Sequence, residues 1–151
     1  MRGEWARRAF RDLVESAQVH GLLAFENEMI GAEPLAWMCL GPVDDFPRLD
    51  AVRALRHARE LNTWAITCFY VRSRARRTGL GIRLLVVGQE YAFANGCRVL
   101  EGYPVNVRPR MTMPGAFAWT GVPAMFAAAG FQHLHRVGET RGIWIARAPE
   151  R

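Results

Sequence analysis

A run of nine residues suited to extended structure, 63–71 (TWAITCFYV), passes through a basic, glycine-containing turn into an apolar stretch that reaches Ala94. This succession constrains the fold more than any other feature of the chain. β-Branched and aromatic residues fill the run, so it predicts a buried strand. The segment from about Leu80 to Ala94 predicts a helix, and Arg76-Arg77-Thr78-Gly79-Leu80-Gly81 joins the two. A helix start leaves several N–H groups unpaired and carries partial positive charge, which suits a phosphate. Glycines at 79 and 81 let the backbone approach a diphosphate where a Cβ would intervene. Arg76, Arg77 and Arg83 add guanidinium donors. The alternative is a glycine turn that only caps a helix beside solvated arginines; the order strand, arginines, glycines, helix favours an anion site. The turn is not a Walker loop, because no Gly-Lys-Ser/Thr follows. It is not the dinucleotide fingerprint either, because Leu84 stands where the third small residue belongs.

With 151 residues, half of them apolar and 23% charged, the chain predicts one globular domain spanning 1–151. No apolar run approaches the ~20 residues of a membrane-spanning helix. The start, MRGEWARRAFRDL, mixes acids and bases unlike a signal peptide. The expectation is a soluble, cytoplasmic protein with no membrane partner. Its net charge of +6 is carried by arginine alone. Arg72, Arg74, Arg76, Arg77 and Arg83 fall within one short stretch, which points to a local anionic ligand. Nucleic acid is disfavoured, since the neighbouring aromatics Phe69 and Tyr70 belong to an apolar run and are not interleaved with the charges. Cys39, Cys68 and Cys97 are scattered without a CxxC or a Cys/His cluster, so no metal site is expected.

Elsewhere, 4–19 predicts an amphipathic helix ended by Gly21, and 22–26 and 34–40 predict two strands. Residues 48–60 suggest an irregular helical stretch. Residues 97–103 predict a strand closed by Pro104, and 105–120 a loop. A short helix over 121–129 stops at Gly130, and strands follow at 131–137 and 142–147. Within the first of these, His133 and His135 are expected on one face. The class is α/β with a mixed sheet and one βαβ crossover.

The sequence resembles the GCN5-related N-acetyltransferase (GNAT) superfamily. That family's acetyl-CoA signature, Arg/Gln-x-x-Gly-x-Gly/Ala after its fourth strand, is matched by Arg76-x-x-Gly79-x-Gly81. Its alanine-rich helix ending in Gly-Phe is matched by Met125–Phe131 (MFAAAGF). A closer similarity is to an uncharacterised bacterial subgroup, through Cys-Phe-Tyr-Val at 68–71 and Glu-Gly-Tyr-Pro-Val at 101–105. The resemblance covers about 20–146. It implies a twisted mixed sheet flanked by about four helices, with two parallel strands, 64–71 and 97–103, splaying apart. It also implies acetyl-CoA as co-substrate, its pantetheine arm pairing with the strand edge around Phe69, Tyr70 and Val71 and its diphosphate on Arg76, Arg77, Thr78, Gly79, Leu80 and Gly81. The implied reaction is direct attack by a primary amine of a small molecule or a protein, and domains of this kind often dimerise. The family normally opens with a strand before its first helix, which is not visible ahead of Glu4.

Three departures stand out. The tyrosine that many members use to protonate the departing thiolate is Phe126 here, the strand 63–71 carries no acid, and an asparagine common near the last helix is replaced, with Trp119 close by. Glu101 and Tyr103 alternate onto one strand face and are the substitute catalytic candidates. The alternative is that Glu101 pairs with an arginine and Tyr103 packs below the loop. A second overall reading is a module that holds acetyl-CoA with little or no catalysis.

Overall fold

In a computed structural model, which describes residues 2–16, 20–106 and 121–150, the apolar run becomes the longest strand of a six-stranded sheet. The strands are β1 (Gly21–Ala24), β2 (Ala36–Pro42), β3 (Thr63–Val71), β4 (Val99–Gly102), β5 (Gln132–Val137) and β6 (Arg141–Arg147). Their order is β1-β2-β3-β4-β6-β5. Only β3 and β4 run parallel, and the crossover between them is α3 (Leu80–Ala94). The remaining helices are α1 (Arg2–Glu15), α2 (Arg48–Ala51) and α4 (Pro123–Ala128). The mixed sheet and four helices agree with the expected class.

Each face of the sheet has its own apolar layer. Met38, Leu40, Ile66, Phe69, Leu100 and Phe126 pack with Leu84 and Leu85 of α3 on one side. Val43, Leu49, Ala65, Val99, Ile143 and Ile145 gather on the other, under the segment that carries α2. Each Val, Leu, Ile, Met or Phe side chain among them stabilises the fold by about 1.5–3 kcal/mol when fully buried. The alternation along β3 carries the division, with Trp64, Ile66 and Phe69 facing α3 and Ala65 facing away.

The fold departs from the sequence reading in three places. Residues 48–60 form only the single turn α2 and a 3-10 turn, Arg53–Leu55, before an extended stretch. Position 97 lies just before β4, which stops at Gly102, one residue short of Tyr103. The expected shared face for His133 and His135 is wrong. The β5–β6 register shifts between them, so His133 meets Trp144 edge to face on the α3 side and His135 meets His57 on the other. No group of three or more metal-ligating side chains occurs among the described residues.

Candidate functional site

β3 and β4 pair from Thr63–Val99 to Ile66–Gly102 and then part. β3 continues five residues further, while the β4 chain passes Tyr103 into Pro104, which has no N–H to extend a ladder. Val105 instead bridges to Arg141 beside β6. The splay implied by the resemblance is therefore present. On its other side β3 pairs with β2 up to Ala36–Val71, with Thr67 left out as a one-residue bulge. Backbone groups of a strand point alternately to its two neighbours. The Arg72 N–H donates to Leu35 C=O at 2.8 Å, toward β2. The N–H groups of Phe69 and Val71 therefore face the open gap, and that of Tyr70 faces β2. Tyr70 instead presents its ring, 39% exposed, to solvent.

The basic turn sits at the top of this gap. Arg76 Nε donates to Val71 C=O at 2.9 Å, and its guanidinium lies 6.0 Å from the Tyr70 ring centre. Arg77 adopts a left-handed conformation (φ 62) and Gly79 another (φ 80). Space around Gly79 is open, since a Cβ built there meets nothing within 4 Å. Gly79 is also the N-cap of α3, and no side chain caps it. Thr78 Oγ1 donates to Ala75 C=O at 2.7 Å and receives the Leu80 N–H at a long 3.4 Å. The helix start thus keeps most of its donors available to a ligand. Gly81 is buried, and a side chain there would press on the Met125 thioether of α4. The six residues 76–81 form a contiguous cradle that opens into the gap.

Glu101 and Tyr103 lie on the sheet face away from α3, at the foot of the splay, and both are buried. They are turned toward each other, the Tyr103 hydroxyl donating to Glu101 Oε2 at 2.7 Å. Arg59 Nε donates to the same oxygen at 3.1 Å, and His57 Nε2 stands 2.7 Å from Oε1. Arg59 also reaches Asp50 Oδ1 at 2.8 Å and Leu55 C=O at 3.0 Å, while His57 Nδ1 is 3.1 Å from that same carbonyl. Burial first, then the charge and hydrogen bond of Glu101, push the Tyr103 phenol far above its ordinary value of 10.0. His57 and Arg59 were missed by sequence reasoning. They stand 44 and 42 residues from Glu101, and only the arginine alternative for Glu101 hinted at such a partner.

Phe126, at the position of the missing tyrosine, is fully buried, its ring against Gly102 and Phe131. A Cβ on Gly102 would enter that ring, so the glycine allows α4 to lie flat on β4. Cys68 is half-buried, and burial pushes its thiol up, away from the thiolate a nucleophile needs. Trp119 and most of the loop expected to cover the acceptor lie outside the described residues.

The family model described as the acetyltransferase (GNAT) family matches residues 2–108. The chain belongs to this family. Among solved structures, a GNAT-family protein from Desulfovibrio desulfuricans matches with a TM-score of 0.59 at 18% identity, covering 95% of this chain and 79% of that one. An acetyltransferase from Bacillus cereus matches at 0.55 and 14% identity, over 97% and 91% of the two chains. Aminoglycoside acetyltransferase AAC(6')-Ib, in complex with coenzyme A and kanamycin, matches at 0.58 and 13% identity, over 90% and 70%. At these identities the likeness speaks for the GNAT fold. No curated protein matches the chain in sequence. No helix among the described residues is long and apolar enough to cross a membrane.

Proposed function

We propose that this GNAT protein binds acetyl-CoA and transfers its acetyl group to a primary amine by direct attack. The observation that carries the reading is the open, uncapped cradle at Gly79 placed directly above the unpaired edge of β3. The diphosphate would rest on residues 76–81 and the pantetheine would add to β3 as a strand, using Phe69 and Val71. The thioester carbonyl would then accept from a backbone N–H of that edge, which stabilises the oxyanion formed when the amine attacks. The amine nitrogen bonds to the carbonyl carbon, the carbon–sulfur bond breaks, and the proton released by the nitrogen balances the thiolate. Positioning of the two reactants supplies most of the catalysis in such a scheme.

Glu101 and Tyr103 enter this reading as the proton-handling candidates, in a narrower form than the sequence suggested. The hydroxyl proton of Tyr103 is already directed to Glu101, so any proton exchanged with the reaction would travel through the pair. That arrangement, with the buried Phe126, favours a second reading in which the chain holds acetyl-CoA without efficient turnover. Calorimetric titration with acetyl-CoA, followed by thiol-release assays over small amines, amino acids and peptide amines, separates the two. Binding with product from at least one amine is the expected result. Binding with no product from any class would leave only the second reading, and no binding would remove both.

A further inference from the structure

Cys39 of β2 and Cys68 of β3 are Cα partners in the antiparallel ladder, and both are free thiols. The next pair along, Met38 and Phe69, belongs to the α3-side core, so both cysteines point to the opposite face. The Arg72 N–H turns to β2, and alternation along the strand turns those of Tyr70 and Cys68 the same way. Cys39 and Cys68 are therefore a hydrogen-bonded pair, whose Cα atoms stand about 5.5 Å apart, within the range a disulfide spans. After burial, Cys39 is the cause that raises the Cys68 thiol, as a near neighbour does.

The pair also holds a particular place in the sheet. β3 leaves β4 after Ile66, and Thr67 is the bulge, so Cys39–Cys68 is the first rung beyond the point where the strands part. From that rung upward β3 pairs only with β2 among the described strands. Cys68 is half-buried and open to a small reagent, whereas Cys39 is buried behind it. Cys97 is buried in the α3-side core, on the other face of the sheet.

We propose that Cys39 and Cys68 form a reversible redox site, closing to a cross-strand disulfide that clamps β2 to β3 at the foot of the gap. The oxidant is a low-molecular-weight disulfide. The Cys68 thiolate attacks one of its sulfurs and releases a first small thiol. The Cys39 thiolate then attacks the Cys68 sulfur of the mixed disulfide and releases the second. Two protein S–H bonds and one small S–S bond thus become one protein S–S bond and two small thiols. Burial raises both thiols, so the exchange is slow at neutral pH and quickens as pH rises. The Cβ atoms of such a pair must close by about 1 Å to reach disulfide spacing. The unpaired Thr67 beside the rung supplies slack, and the remaining strain keeps the bond easy to reduce. The site needs nothing bound in the cradle, so it stands apart from the acetyl-CoA reading.

The test incubates folded wild type with hydroxyethyl disulfide at about pH 8.5, near the ordinary thiol value, then alkylates the remaining thiols and maps the peptides. The three free thiols should fall to one, with Cys39 linked to Cys68 and Cys97 alkylated after unfolding, and dithiothreitol should restore all three. Cys39→Ser should stop at Cys68 carrying one small thiol; the wild-type map decides the linkage even where this buried variant fails to fold. In the closed form, hydrogen exchange at the Tyr70 and Arg72 amides should slow by about tenfold or more, while α3 is unchanged. Three thiols that survive the oxidant, a mixed disulfide on wild-type Cys68 that never closes, or a linkage through Cys97 would overturn the proposal. Equal exchange of the two amides in the open and closed forms would overturn the clamp.

Discussion

The two polar centres of the sheet follow opposite rules. At the start of α3 the donors are many and mostly uncommitted: an uncapped helix, an open Gly79 and three arginines, Arg74, Arg77 and Arg83, whose side chains meet no acceptor among the described residues. Around Glu101 three donors converge on one buried carboxylate, and Arg59 and His57 divide their remaining contacts between Asp50 and Leu55. Both centres are rich in the side chains that usually signal function. Hydrogen-bonding capacity left open tells them apart better than residue type does, because a group already matched inside the protein gains little from a ligand.

The sharpest way to break this comparison is to empty the closed centre. Glu101→Ala leaves Arg59 and His57 facing an apolar floor and should cost about 3–5 kcal/mol, read as a shifted urea midpoint. A loss below about 1 kcal/mol would mean the cluster is not a structural tie. Next comes the open centre. Gly79→Asp sets a carboxylate where a diphosphate would lie, at a backbone angle that aspartate tolerates, so the fold should persist while acetyl-CoA binding falls at least about a hundredfold. Unchanged affinity by calorimetry would remove the diphosphate from the cradle. Phe126→Tyr adds a hydroxyl to a ring pressed on Gly102 and should cost about 1–3 kcal/mol in the same denaturation assay. A variant as stable as wild type would reveal room at the gap's base. Tyr103→Phe has the smallest expected effect, about 1 kcal/mol at neutral pH. Its signature is pH dependence. The phenol's value is raised in the folded state, so its contribution is complete below the unfolded value near 10.0 and is lost as pH rises above it. Wild type should therefore lose stability between pH 10 and 11 more steeply than the variant, and parallel curves would contradict the buried pair.

How much of this was legible depended on the range of the interactions. β3 and α3 match the ranges read from sequence, because a β-branched run and a glycine-started apolar stretch decide their structure locally. Residues 48–60 do not, because Arg59 and His57 are drawn out of helical geometry by a carboxylate on another strand. The histidine face failed for a related reason: the shift between His133 and His135 is set by pairing with β6, which a period of two cannot foresee. The turn from Arg76 to Gly81 and the helix start behind it were readable, whereas a cavity beside them joins Phe25 to Arg74 and Arg83 through the hairpin and left no mark in the local pattern.

Pro104 carries one last consequence. The end of the β3–β4 ladder is secured in part by a hydrogen atom that the chain does not possess. The gap is therefore a property of the polypeptide, present wherever proline holds that position.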